Sequence, residues 1–267
     1  MTARGRAQPT VADDDALPAT ATAAPPPVAS APATTTAAPS CIPHRLLTDV
    51  QLTEYSTHCR EVGAVATWIV SSAKYGNGVH QLRDDNAQTF WQSDGALPHT
   101  VRVEFPKLTA VHAVAICLSF ASDESYTPAK VSIRAGTHEN DVAEVAVLDM
   151  VQPNGWVLQT LMDDTVTTPS PAPSSSGAPG EESSSSSNIL QKPLDMRTAS
   201  LAISKADSVT TLARHILSLA PIYCTVLLVL IPENHQQGRD THVRGVKVFG
   251  APLPSTDKLF GGFESLR

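Results

Sequence analysis

The feature that most constrains how this chain can fold is a series of short apolar segments with strand periodicity, separated by turn residues, running from His99 toward the C-terminus. At 99–105, Val101, Val103 and Phe105 alternate with Arg102 and Glu104, which sets apolar side chains on one face and charges on the other. Residues 111–120 are almost continuously apolar, as in a central strand covered on both sides. Alternation returns at 130–135 through Val131 and Ile133, and segments 142–150 and 156–161 flank Gln152-Pro153-Asn154-Gly155. Pro, Asn and Gly supply the fixed and positive φ angles of a tight reversal. Segments 224–231 and 243–249 complete the series, which predicts an all-β antiparallel sandwich or barrel. Two helical pieces interrupt it. One is a short turn at 78–84. In the other, capped by Ser208, Val209, Leu212, Ala213, Ile216 and Leu217 share one helical face; this second helix is expected to be an embellishment.

Of the 267 residues, those at 1–40 are mostly Ala, Pro and Thr without an aromatic, and are expected to be a disordered tail. A second biased run at about 165–188, with Pro169, Pro171, Pro173, Pro179 and a serine block, reads as a flexible insertion; the insertion as a whole, disordered or embellishing, is expected over 163–220. The sandwich is assigned to 41–250 and a tail to 251–267. A net charge of −7 with no basic face argues against nucleic acid as a ligand. Cys41, Cys59, Cys117 and Cys224 form no CxxC pair, and Cys117 and Cys224 sit in apolar runs where thiols pack as small hydrophobes, so a reducing compartment is expected. No apolar segment follows Arg4 and Arg6, so no secretory signal is expected. The longest apolar run, 216–231, contains Pro221 and is shorter than the roughly 18 residues of a membrane span, and reads as core in a soluble protein.

Motifs for hydrolase, metalloprotease, P-loop and dinucleotide chemistry are missing, since Gly76 and Gly78 lack the third glycine of GxGxxG. Three polar clusters remain. The first, Asn234-His235-Gln236-Gln237-Gly238-Arg239-Asp240-Thr241-His242, lies between two strands, where functional groups concentrate. From chemistry alone a connector in which Asp240 and Thr241 cap amides competes evenly with a ligand loop. Two histidines seven residues apart do not make a metal site. The second, Ser122-Asp123-Glu124-Ser125-Tyr126-Thr127-Pro128, is a solvated turn or an acidic pair that receives a partner's cation. In the third, Leu82-Arg83-Asp84-Asp85-Asn86 precedes Thr89-Phe90-Trp91-Gln92-Ser93-Asp94-Gly95. Phe90 and Trp91 point to opposite faces, Trp91 into the core, and Asp84, Asp85 and Asn86 hold the crossing by local bonds.

These clusters, with Pro98-His99 and Asn154-Gly155-Trp156, resemble the Doc-domain family, whose members are subunits of the anaphase-promoting complex, a large ubiquitin ligase. The resemblance covers about 63–161 and 224–249. It implies a jelly-roll β-sandwich of the galactose-binding type with no cofactor, no metal and no catalytic residue. It also implies a role, with a coactivator, in the receptor for destruction-box degrons, which raises the processivity of substrate ubiquitination. The implied ligand surface is made of Asn234, His235, Gly238, Arg239, Asp240, Thr241 and His242, then Ser122, Asp123, Glu124, Ser125 and Tyr126. Acidic residues would receive or steer the degron arginine, while Arg239 and the histidines donate hydrogen bonds. Family members end in Ile-Arg, which docks into a tetratricopeptide-repeat subunit; here Leu266-Arg267 takes that place. Other subunits of the complex, the coactivator and degron substrates are the implied partners, in nucleus and cytoplasm.

Two other readings stay open. A stand-alone carbohydrate-binding sandwich would stack Trp91, Tyr126 and Trp156 on a pyranose. A Doc-like domain of a different ubiquitin ligase would share the fold.

Overall fold

The computed structural model describes residues 42–163 and 196–253. In chain order these form β1 (Arg45–Leu47), α1 (Asp49–His58), β2 (Arg60–Glu61), β3 (Thr67–Val70), α2 (Val79–Arg83), β4 (Trp91–Gln92), β5 (His99–Val111), β6 (Ala113–Ser119), α3 (Phe120–Asp123), β7 (Pro128–Gly136), β8 (Ala143–Asp149), β9 (Asn154–Thr160), α4 (Met196–Ser204), α5 (Val209–Leu217), β10 (Ile222–Asn234), β11 (His242–Val243) and β12 (Gly245–Gly250). Two five-stranded antiparallel sheets, ordered β1-β9-β6-β12-β2 and β3-β5-β10-β7-β8, enclose the core, and β4 pairs with β11 in a small third sheet. Non-sequential neighbours such as β6 beside β12 and β5 beside β10 give a jelly-roll β-sandwich, the form that the family resemblance implied and one of the two antiparallel forms, sandwich or barrel, that the strand series allowed.

Strand alternation decides which side of each sheet is packed, and β6 shows it most clearly. Val114, Ile116 and Leu118 point between the sheets, where they meet Val103, Ile133, Leu227, Val229 and Trp91. Ala113, Ala115 and Cys117 point the other way, into a second buried layer with Tyr55, Leu158, Ile203, Leu212 and Ile216. The small side chains on that face let α1, α4 and α5 approach the sheet, since a closely packed interface leaves no room for larger ones. The strand expected to be covered on both faces is therefore covered by a sheet on one side and helices on the other. Cys117 and Cys224 are both buried, and burial pushes each thiol up to about 12.

The helical layer revises the expectation for 163–220. Within that span residues 196–204 and 209–217 are helices whose side chains Ile203, Leu212, Ala213 and Ile216 are fully buried. They form part of the core rather than an embellishment. Arg45 on β1 fastens the junction between them, donating from Nη1 to the carbonyls of Ile203 (2.9 Å) and Ser204 (3.1 Å) and from Nη2 to that of Ala206 (3.2 Å). Ser208 caps α5 as predicted, its Oγ accepting from Thr211 N at 3.2 Å. Ser208→Ala should cost about 1 kcal/mol, the usual worth of such a cap, in the free energy of urea unfolding.

α1 was not foreseen. It begins at a capping box, with Thr48 Oγ1 accepting from Gln51 N (3.3 Å) and Thr48 N donating to Gln51 Oε1 (2.9 Å). Only Leu52 and Tyr55 of its ten residues are buried, which is too few to print a helical period on the sequence.

Candidate functional site

Four connections meet at one end of the sandwich: residues 71–78 after β3, 84–95 around β4, 120–127 between β6 and β7, and 234–242 after β10. Their local chemistry follows the turn signals. Asp84 Oδ1 accepts from Asn86 N (3.0 Å) and from Thr89 Oγ1 (2.8 Å), and Asn86 Oδ1 accepts from Gln88 N (3.0 Å). This is the predicted structural role, with Asp85 instead pairing to Lys247 Nζ at 2.7 Å. Trp91 is completely buried and donates from Nε1 to Ser72 O (2.8 Å), while Phe90 turns outward against His242.

The 234–242 loop is held from within and from both sides. Asn234, itself buried, donates from Nδ2 to the carbonyls of Gly238 (3.2 Å) and Asp240 (2.9 Å). His99 Nε2 meets the Arg239 carbonyl at 2.6 Å. Ser93 and Thr241 exchange two bonds, Ser93 N to Thr241 O (3.1 Å) and Thr241 N to Ser93 Oγ (2.8 Å). On the other side His235 N donates to Thr127 O (2.9 Å) and Thr241 Oγ1 to Tyr126 O (3.3 Å). Asp240, one of the two residues that the connector reading had capping amides, instead forms an ion pair with Lys74 at 2.6 Å, and Asn234 holds the loop by capping its carbonyls. The Lys74 ammonium holds the Asp240 carboxyl below its ordinary value.

Between these loops lies an open depression of about 380 Å³ lined by Asp94, Gly95, Ser125, Tyr126, Gly238, Arg239 and Asp240. Five of these seven, Ser125, Tyr126, Gly238, Arg239 and Asp240, were predicted, and they come together as expected. Asp94 and Gly95 belong to a motif that carried the resemblance but were not assigned to the ligand surface. Lys74 had no sequence signal beyond the turn residues Gly76, Asn77 and Gly78 beside it.

Other predicted ligand residues have a different place. Asn234 and Thr241 are buried and shape the loop without facing a ligand. Asp123 does not await a partner's cation. Its side chain is 4% exposed and receives Arg244 through Nε (2.8 Å) and Nη2 (2.7 Å), together with His242 Nδ1 (3.1 Å). Burial alone would raise this carboxyl, but the bonds from His242 and Arg244 prevail and hold it below its ordinary value. His242 is stacked between the rings of Phe90 (4.1 Å) and Tyr126 (4.3 Å), so it fixes the Tyr126 ring and is not a donor lining the depression. His235 packs edge-on against Phe120 at 5.0 Å. Ser122 and Glu124 are exposed nearby, outside the lining set. Leu266 and Arg267 lie outside the described residues. Among the described residues no group of three His, Cys, Asp or Glu side chains could hold a metal ion.

The aromatic set invoked for a stand-alone carbohydrate module also separates. Trp91 is 0% and Trp156 8% exposed, and the Trp156 indole donates to Asp49 Oδ1 at 2.8 Å. Of the three rings only Tyr126 is open to a ligand.

Comparison with known proteins agrees with this architecture. The paired CBM32-1 and CBM32-2 domains of ZmpB from Clostridium perfringens superpose with a TM-score of 0.51 at 11% identity, over 82% of this chain and 43% of theirs. At that identity the likeness establishes the galactose-binding-like fold alone. By sequence, anaphase-promoting complex subunit 10 of Homo sapiens is 33% identical over 215 residues, 80% of this chain and 86% of the human one. The Dictyostelium discoideum protein of the same name is 34% identical over 207 residues, 78% of this chain and 81% of its own. The family profile described as "Anaphase-promoting complex, subunit 10 (APC10)" matches residues 45–265, so both sheets, the helical layer and all four loops fall within it, and the chain belongs to that family.

Proposed function

We propose that this chain acts within the anaphase-promoting complex as part of the receptor for destruction-box degrons, sharing each degron with a coactivator and so raising the processivity of ubiquitination. It performs no bond chemistry of its own and works where the complex works, in nucleus and cytoplasm. Leu266 and Arg267 serve as its tail-docking contact with a tetratricopeptide-repeat subunit.

The observation that carries the reading is the depression. It is open and polar, and its walls are loops locked to one another by backbone bonds. An extended peptide presents N–H and C=O groups along its length, and this surface offers acceptors at Asp94 and Asp240, a donor at Arg239 and the Tyr126 ring for an apolar side chain. Rigid loops lose little freedom when a peptide binds. A shallow site of this kind binds weakly alone. Its contribution grows when a second receptor holds the same peptide, because the second contact then forms at high effective concentration.

The test is binding of a fluorescent destruction-box peptide to the reconstituted complex with coactivator. Asp94 and Arg239 are exposed, so Asp94→Ala and Arg239→Ala should leave unfolding within about 0.5 kcal/mol of wild type. Each should weaken the peptide about tenfold, the equivalent of one charge-assisted hydrogen bond of about 1.4 kcal/mol. Unchanged affinity in both variants would reject the assignment.

A further inference from the structure

A second hollow, of about 360 Å³, is lined by the first turns of α1, the 85–87 loop and residues of β6, β9 and β12, and shares no lining residue with the depression. Its floor is apolar, with Leu52, Leu82, Trp156 and Val246 all buried. Gly245 gives the Trp156 ring its place on β12, since a Cβ there would lie 2.7 Å from Trp156 Cη2. Asp49, Thr53, Asp85 and Asn86 at the rim are exposed, so a chain can pass over the hollow while one of its side chains enters.

Most of the charge around this hollow is already balanced. Lys247 Nζ binds Asp85 Oδ1 at 2.7 Å and lies 5.8 Å from the centre of the Trp156 ring. Arg244 is held by Asp123 and by the Ala87 carbonyl. Asp49 is left over. Its Oδ1 accepts from Trp156 Nε1 at 2.8 Å, and among the described residues it forms no ion pair. The start of α1 supplies it with partial positive charge only. Its field reaches the floor, where it adds to the effect of burial in raising the Cys117 thiol.

These features select an occupant by charge. An apolar side chain would cover the floor but strip water from Asp49 with nothing in return. An anion would meet Asp49 directly. A long side chain with a cationic end satisfies both parts, its methylenes on the floor and its charge at the rim. Arginine suits the place better than lysine, because a planar guanidinium donates twice to one carboxylate and stacks on an aromatic face.

We infer that this hollow receives an arginine side chain from another subunit of the complex, with Asp49 as its carboxylate partner and the Trp156 ring beneath it. The inference needs membership of the family, whose proteins are subunits, and not the degron-receptor reading.

Two measurements test it. In the first, the full-length chain is titrated with the peptide acetyl-Ala-Arg-Ala-amide while the indole N–H of Trp156 is followed by nuclear magnetic resonance. The signal should move with this peptide and stay in place with its Leu and Glu counterparts. Asp49→Asn keeps an acceptor for the indole but loses the charge, and should weaken the arginine peptide about tenfold. Asp94→Ala, in the depression, should leave it unchanged. No movement with arginine, or equal movement with leucine, would overturn the inference. In the second, the complex is assembled with a photo-crosslinking residue in place of Thr53. A crosslink to an arginine-bearing segment of another subunit is the expected result. A crosslink to this chain's own Arg4 or Arg6, to a segment without arginine, or to nothing would overturn the assignment to a neighbouring subunit.

Discussion

Asp123→Ala is expected to destabilise the protein by about 3–5 kcal/mol, the usual result of leaving one member of a buried ion pair alone. The Arg244 side chain is only 11% exposed, and without Asp123 its guanidinium retains the Ala87 carbonyl (2.7 Å) and the Phe90 ring, 5.5 Å from its centroid. Replacing both members with apolar groups should recover much of the loss, so Asp123→Ala/Arg244→Met should be more stable than Asp123→Ala. A double mutant whose urea-unfolding free energy is the plain sum of the two single effects would show that the pair is not coupled. The pH dependence has a definite sign. Asp123 is held below its ordinary value in the fold, so its contribution is complete above the unfolded carboxyl's titration, at about pH 5 and higher. It disappears as pH falls through the lowered native value. The stability gap between wild type and Asp123→Asn should therefore be flat at neutral pH and close on the acid side of pH 4.

Gly238→Ala is expected to abolish the proposed degron binding and to cost about 2–3 kcal/mol, the range for forcing extra volume into a packed contact. The backbone at Gly238, φ −58° and ψ 140°, suits any residue, so the effect is not one of torsion. A Cβ there would run into the Ser125 carbonyl, which is backbone of the opposing loop and cannot rotate aside. The two loops would have to part, stretching the bonds from His235 N to Thr127 O and from Thr241 Oγ1 to Tyr126 O, and the depression between them would lose its shape. Gly95→Ala provides the contrast. Its φ of +131° makes the substitution strained, yet nothing lies within 4 Å of the added carbon, so the opposing walls should stay together. If Gly238→Ala binds peptide and unfolds like wild type, contact between these loops does not shape the site.

Strands were legible where one face meets the core and the other meets water, as at Val101 to Phe105, or where a nearly continuous apolar run marks both faces as covered, as in β6. The turn after Met150 was legible from its residue types, although the positive φ angles fall on Gln152 (45°) and Gly155 (120°) while the Asn154 side chain accepts from Ala121 N at 2.9 Å. α1 escaped because its stability comes from two buried side chains and a cap rather than from a periodic face. α5 showed its apolar face, but the sequence holds no local record of what that face covers. The same limit applies at the site. Residue types marked the loops as functional, yet the fate of Asp123 depends on Arg244, 121 positions away, and that of Asp240 on Lys74, 166 positions away. Only the fold brings such partners together, so an acidic residue that looks free in the sequence can be fully committed in the structure.

The bond between Asp163 N and Ala220 O, at 3.2 Å, closes the base of the excursion between β9 and β10. It lies beside the start of β10 at Ile222, whereas the binding loop begins where β10 ends at Asn234. The full length of a 13-residue strand, roughly 40 Å at about 3.3 Å per residue, separates the two. The described chain therefore leaves β9 and rejoins β10 at the end of the strand away from that loop. A change confined to the junction of Asp163 with Ala220 can reach the 234–242 loop only through the length of β10, so the two ends of this strand can be altered separately.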